Sequence, residues 1–271
     1  MAIVALMIAA PGHLLAKKKV NLKYHLQKND TYITKSNINQ DIQMQAQGRT
    51  VDIQAQTEID GTTVVSAVAS NSIQLTTTIN KMALTQSVMG RKIHFDSSDP
   101  STYASGSGKL IGDKLNQLIG KSYTKVIDDF GHITSMDLSH FEEGLKTTGK
   151  LSSRDIYIVF PGHPVEVGDS WEATIHPKQN SNMVIHVKYT LNKLTGKDAV
   201  IGIDAKISGN KLEHKDMSLN GVINGEATVD LKTGWTTKVN VDQEVKMNAQ
   251  TNGMTIPMTI SGTITSISVK K

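Results

Sequence analysis

The sequence contains no cysteine. That excludes disulfides, thiolate metal sites and the lipid-bearing cysteine by which bacterial lipoproteins are anchored. Aromatic residues make up only 4% of the chain, too few for a platform that stacks bases or sugars, so the core must rest on Val, Ile, Leu and Met. Charged residues are scarce at 20%, while Thr, Ser, Asn and Gln abound. Such a mix suits strands with one wet face better than helices patterned with Glu and Lys.

A surplus of one charge sign is also missing from the body of the chain. The formal charge is +4, but five of the 29 basic residues (Lys17, Lys18, Lys19, Lys270 and Lys271) lie at the two ends. The other 24 meet 25 acidic residues, a body charge of −1. A near-neutral body has no phosphate-tracking surface, which argues against nucleic acid as a partner.

The opening residues, MAIVALMIAAPGHLLAKKK, form an apolar run broken by Pro11-Gly12, with Ala16 at the end of Leu14-Leu15-Ala16. They read as a secretory signal over 1–16 that lacks the usual basic start. The run is too short to span a bilayer as a helix, and no later segment approaches the required length. The expectation is an exported protein of the periplasm or extracellular space, without a lipid anchor on cysteine and without a transmembrane segment once mature.

What is present is period-two alternation. MVIHVKYTL sets Met183, Ile185, Val187 and Tyr189 on one face, and GMTIPMTISGTIT does the same for Met254, Ile256, Met258 and Ile260. Pro257 in the second run lacks an N–H, so that strand is expected at an edge or with its N–H side toward solvent. Asp60-Gly61 and Thr195-Gly196-Lys197-Asp198 read as hairpin turns. IDDFGHITSM and DLKTGWTTKV each carry an Asp before a turn glycine, Gly131 or Gly234. The phrases YHLQKNDTYITK and PVEVGDSWEATI echo each other, with Asp30-Thr31-Tyr32 standing where Asp169-Ser170-Trp171 stands.

These correspondences predict a mainly β fold of antiparallel strands. Two related halves, 17–150 and 151–271, form curved sheets or a half-barrel with one or two short helices between them. Helical spacing gathers Ile111, Leu115, Leu118 and Ile119, and a capping-box pattern at Ser139 and Glu142 starts a second candidate over 138–146. The stretch from Asp96 to Lys109 reads as a loop, polar and rich in Ser and Gly.

No constellation of catalytic residues is visible. The histidines lack metal-ligand spacing, so no metal is expected, and no cofactor either. ASGSGK ends like a phosphate loop, but Tyr103 stands where the pattern needs glycine and Leu110 where it needs Ser or Thr. Glu142-Glu143 fit a helix start better than a pair of glycosidase carboxylates. The sequence does not read as an enzyme.

The positive signal is methionine. Thioethers in strand-like runs suit an apolar concave face, whose candidate lining is Met183, Ile185, Met254, Ile256 and Met258. The expected partner is a lipid or other apolar small molecule, or an envelope protein held on a sheet face. A hydrolase with a dispersed His/carboxylate site and a purely structural envelope component are the alternatives.

LKYHLQKNDTY, DGTTVVSAV and FPGHPVEVGDSW resemble a family of exported bacterial proteins, mainly from Bacteroidota, the domain of unknown function 6263. The resemblance implies a β-rich exported protein and brings no catalytic residues. Many members are lipoproteins, and this chain departs from them in having no cysteine. At the level of fold the expected architecture is similar to the half-barrel of periplasmic lipoprotein carriers, in which helices close a curved sheet.

Overall fold

The structure is a computed structural model that describes residues 19–46, 48–139, 158–176, 182–212, 215–251 and 254–271. The expected signal segment and nearly all of the helix candidate at 138–146 lie outside these residues. Among these described residues, alternation produces twelve strands. In the first half these are β1 (Thr31–Ala46), β2 (Arg49–Ala69), β3 (Ser72–Val88), β4 (Arg91–Asp96), β5 (Ser122–Ile127) and β6 (Ile133–Asp137). The second half supplies β7 (Ser170–Ile175), β8 (Val184–Leu194), β9 (Asp198–Leu212), β10 (Lys215–Asp230), β11 (Thr236–Thr251) and β12 (Met254–Lys270).

All twelve belong to one antiparallel sheet that does not close into a barrel. Its order is β6-β5-β3-β2-β1-β12-β11-β10-β9-β8-β7, with β4 pairing β3 beside that path. The first half therefore runs from the centre to one edge, and the second returns from the other edge to the centre. β1 and β12 meet in the middle, from Tyr32↔Lys270 to Met44↔Met258.

The two halves open alike. In the turn before β1, Asp30 N–H donates to Gln27 O, and the Asp30 carboxylate accepts from Gln27 N–H at 3.2 Å. Before β7, Asp169 N–H donates to Glu166 O, and its carboxylate accepts from Glu166 N–H at 2.9 Å. Asn29 and Gly168 hold the corresponding positive-φ positions. Each turn then exchanges backbone bonds with a buried residue of the next strand, Val65 in one half and Leu191 in the other.

Both wings pack onto a filler inside the curl. Segment 19–30 carries Leu22, Tyr24 and Leu26 into the core, and segment 158–168 carries Ile158, Val159, Phe160 and Val165. The segments pair through Val20 and Val165. One hydrophobic cluster joins Val65, Ile73, Leu75 and Ile127 of one wing to Trp171, Tyr189, Leu191 and Ile201 of the other through this filler. The two matched turns hold it in place. Tyr24 N–H donates to Asp129 O in the first, and His25 N–H to Thr233 O in the second. Gly131 (φ 92°) and Gly234 (φ 73°) lie so close to the filler that a Cβ would strike Ile158 O at 2.5 Å and Lys23 O at 2.3 Å. Glycine is required at both by backbone angle and by proximity.

Three local expectations change. Asp60-Gly61 is not a hairpin turn. Both residues lie inside β2, which pairs with β1 and β3 through this point, and the irregularity there is a bulge in β3, where Asn80 is the extra residue between Ile79 and Lys81. The β2–β3 turn is instead at Ser70-Asn71 (Asn71 φ 54°), and it corresponds to the turn around Gly196. Helix α1 (Gly106–Leu115) begins inside the stretch read as loop and continues into a 3-10 turn, Asn116–Leu118. Burial of Leu115 and Leu118 against Phe95, Met82 and Ile79 outweighs the poor helix propensity of Ser-Gly-Ser-Gly. Finally, β12 is central, and Pro257 stands one residue past the end of the β1 ladder, where that flank is unpaired.

Candidate functional site

Along the long central strands the two faces differ in kind. Asp41, Gln43 and Gln45 of β1 are exposed, as are Asp52, Gln54, Gln56 and Glu58 of β2 and Asp242, Glu244, Lys246 and Asn248 of β11. The alternate residues form the inner face: Ile38, Ile42 and Met44 of β1, Val51 and Ile53 of β2, Val241, Val245 and Met247 of β11, Ile260 and Ile264 of β12, with Gln40, Thr57 and Gln243 among them. Register places Ile42 between Ile53 and Ile260, and Met44 between Val51 and Met258. From Thr34 to Met44 this face runs about 34 Å, at roughly 3.4 Å per residue.

At the filled end of the curl the inner face encloses a pocket of about 90 Å³. Tyr24 and Trp235 belong to its closed end, where Trp235 stacks on Tyr32 with ring centroids 4.0 Å apart and planes at 15°. Next comes a belt of six hydroxyls from four strands: Thr34 and Ser36 of β1, Ser266 and Ser268 of β12, Thr63 of β2, Thr77 of β3. They meet in pairs, Thr34–Ser268 at 2.9 Å, Ser36–Ser266 at 3.0 Å and Thr63–Thr77 at 2.9 Å. Trp235 Nε1–H donates to Ser268 Oγ at 2.8 Å. Aliphatic side chains flank the belt, Ile79 beside Gly61 and Ile59 and Val239 beside Ser36 and Ser266, and the paired Ile38 and Ile264 form the next row toward the open end. Ile59, Ile79 and Tyr123 also pack in the cluster that contains Leu115 and Leu118, so α1 backs this wall.

Among the described residues no Asp, Glu, His, Lys or Arg lines the pocket. Of its two tyrosines, Tyr24 is buried, which pushes the phenol well above its ordinary range and keeps it neutral. Burial pushes Tyr189 of the neighbouring core up to about 12. Lys270 Nζ meets Asp30 Oδ1 at 2.7 Å where the ends of β1 and β12 come together. Burial works against ionisation of Asp30, but the Lys270 ammonium and the Gln27 N–H outweigh it and hold the carboxyl below the usual range.

The sequence-derived candidates occupy the same inner face at other positions. Met183 is buried with Ile207, Leu219 and Val245, and Ile185 packs against that cluster. Ile256 and Met258 are half-buried on β12, in phase with Ile264 but toward the open end. Of Met254 only the place in β12 is described. Met258 pairs with Met247, which packs against the Met183 cluster, so β12 and β8 contribute to adjoining parts of one surface. The pocket residues themselves were not singled out. Their signal was the phase of Thr34 and Ser36 with Ile38 and Ile42.

A histidine and a carboxylate meet at Asp128 and His132, 2.8 Å apart in an exposed turn. Asp128 also accepts from the Phe130 and His132 N–H groups, which makes it the anchor of the turn clasping the filler. Among the described residues no three His, Asp or Glu side chains converge in a metal-ligating arrangement. Trp171, the aromatic of the repeated phrase, is buried and donates to Val159 O at 2.7 Å.

No curated protein matches the chain. Among solved structures, one of lipovitellin, titled for its lipid–protein interactions, aligns with 90% of this chain at 8% identity and a TM-score of 0.49. The chain spans 25% of the length of that lipovitellin. The translocator domain of the autotransporter NalP from Neisseria meningitidis aligns with 90% of this chain and 89% of its own, at 9% identity and a TM-score of 0.27. An outer membrane channel from Pseudomonas putida F1 aligns over 97% and 100% at 8% identity and a TM-score of 0.22. The model of the Family of unknown function (DUF6263) matches residues 146–236, which include FPGHPVEVGDSW but neither of the two earlier phrases. Over that third of its length, the chain resembles the domain of unknown function 6263.

Proposed function

We propose that the protein is an exported, non-catalytic binding protein of the cell envelope that holds an apolar or amphiphilic small molecule inside its curled sheet. The observation that carries this reading is the contrast between the two faces. The outer face bears Asn, Gln, Asp and Lys, while the inner face is mostly apolar, interrupted by Gln40, Thr57 and Gln243, and only half-buried over Ile42, Met44, Val51, Ile53 and Met258. A membrane-spanning barrel needs the reverse, an apolar band facing outward. A solid core would bury its inner residues completely, as the filled end of this sheet does. Export rests on the apolar leader of the sequence.

Native mass spectrometry of the protein purified from its own envelope, followed by lipid extraction, tests the reading. A co-purifying lipid or other apolar molecule is the expected result, together with displacement of a polarity-sensitive dye by monoacyl lipids. If no ligand co-purifies and no dye enters the purified protein, the reading falls.

A further inference from the structure

Building on the binding role just described, we infer that the ligand is an amphiphile with an uncharged, hydrogen-bonding polar end, and that this end enters first and sits in the hydroxyl belt. Three features of the pocket lead there. The first is size. About 90 Å³ is well below the roughly 300–1,000 Å³ of a site that encloses a whole drug-sized molecule. The pocket takes one end of a ligand whose remainder lies along the half-buried inner face.

The second is polarity. Thr63, Thr77 and Ser268 are exposed by only 3%, 8% and 6%, yet they point into an otherwise aliphatic trough. A hydroxyl has one donor and two acceptor positions. Each of the three pairs spends one O–H between its members, which leaves each pair a second O–H and further lone pairs with which to meet a ligand. An alkyl end there would bury these groups without partners, a costly arrangement. An alcohol, ester or amide would satisfy them.

The third is charge. Among the described residues the lining has no cation and no anion. An ionised head would give up its hydration with nothing to compensate it. Lys125 is buried on the inner face of β5, two residues along the strand from Tyr123, and is not among the pocket's lining residues. The belt therefore selects a neutral head, of the kind a monoacylglycerol or fatty alcohol presents.

Trp235 reports the orientation, because its indole is bonded to the belt through Ser268. The probes are a monoacylglycerol brominated next to its ester, the same lipid brominated next to its terminal methyl, and the fatty acid of equal chain length in ionised form. Their binding to the purified protein is followed by dye displacement and by tryptophan quenching, in the native chain and in Trp171→Phe. The expected result is that the monoacylglycerol binds more tightly than the acid and that bromine near the ester quenches Trp235 more strongly. The paired replacement Thr63→Val with Thr77→Val is expected to weaken monoacylglycerol binding about tenfold while leaving an unsubstituted hydrocarbon dye unchanged. Tighter binding of the acid, or stronger quenching by terminal bromine, overturns the inference while the binding role stands. If none of the probes binds, both fall. The quenching comparison in the native chain decides the orientation even if the paired variant fails to fold.

Discussion

Replacing Gly234 by alanine tests how the filler is held. Gly234 and Gly120 have nearly the same backbone angle, φ 73° and φ 74°, but different surroundings. A Cβ at 234 would stand 2.3 Å from Lys23 O and 2.9 Å from the Tyr24 Cα, whereas at 120 nothing lies within 4 Å. Both substitutions cost the left-handed conformation, roughly 1–2 kcal/mol. Only Gly234→Ala also pushes backbone against backbone, an overpacking cost of about 1–3 kcal/mol. The expected losses are thus about 1–2 kcal/mol for Gly120→Ala and about 2–5 kcal/mol for Gly234→Ala, read as urea midpoints at constant slope. Trp235 adjoins the site, so its emission should change in Gly234→Ala alone. Equal destabilisation by the two variants would refute the clamp, leaving the turn as an ordinary β-turn that happens to contain glycine.

Asp169→Ala should lose about 1 kcal/mol of stability in the same assay through its turn and leave lipid binding intact. A loss of binding without a loss of stability would make that carboxylate functional instead. Asp96 is held at about 2 by hydrogen bonds from the Ser98 hydroxyl and N–H, which outweigh its burial, with further help from Lys81. A folded value below the unfolded 3.8 means that this stabilisation is complete above about pH 4 and lost as pH falls toward 2. Unfolding midpoints should drop across that window, and less steeply in Asp96→Asn; an unchanged slope would show that the bonds do not form in solution. Leu118→Ala, at a site only 1% exposed, should cost about 2–5 kcal/mol and weaken lipid binding by loosening the α1 wall; calorimetry together with dye titration measures both.

Much of this architecture could be read from local pattern. The alternation of Ile, Met and Val with Gln, Asn and Thr defines the strands and their faces, because side chains of a strand point to opposite sides in strict turn. The echo of Asp30 and Asp169 was also legible, since a turn's hydrogen bonds are made within four residues. What misled were signals that neighbouring strands overrule. Asp60-Gly61 favours a hairpin in isolation, but ladders on both flanks already engage that backbone, so a bulge in the facing β3 is what remains. Ser105 to Gly108 looks like loop until Leu115 and Leu118 find Phe95. The pocket was hidden for a related reason. Ser and Thr usually belong to the wet face, and only the register of β1 with β2 and β12 shows that Thr34, Ser36 and Ser266 face inward together.

The central pairing of β1 with β12 has a consequence for how the molecule is made. Thr34 and Ser268 touch across 234 residues of sequence, so β1, the first of these twelve strands to be synthesised, waits for β12, the last of them. Until β12 arrives, β1 has β2 on one side and an open edge on the other, and β11 is equally incomplete. Open edges of this length are templates for wrong pairing, and contacts this remote form slowly. A chain cut short before Met254 would lack its keystone and leave two unpaired edges at the heart of the sheet. Arrival of β12 and closing of the interior are therefore a single event, and keeping the chain unfolded until β12 has been made avoids the hazard.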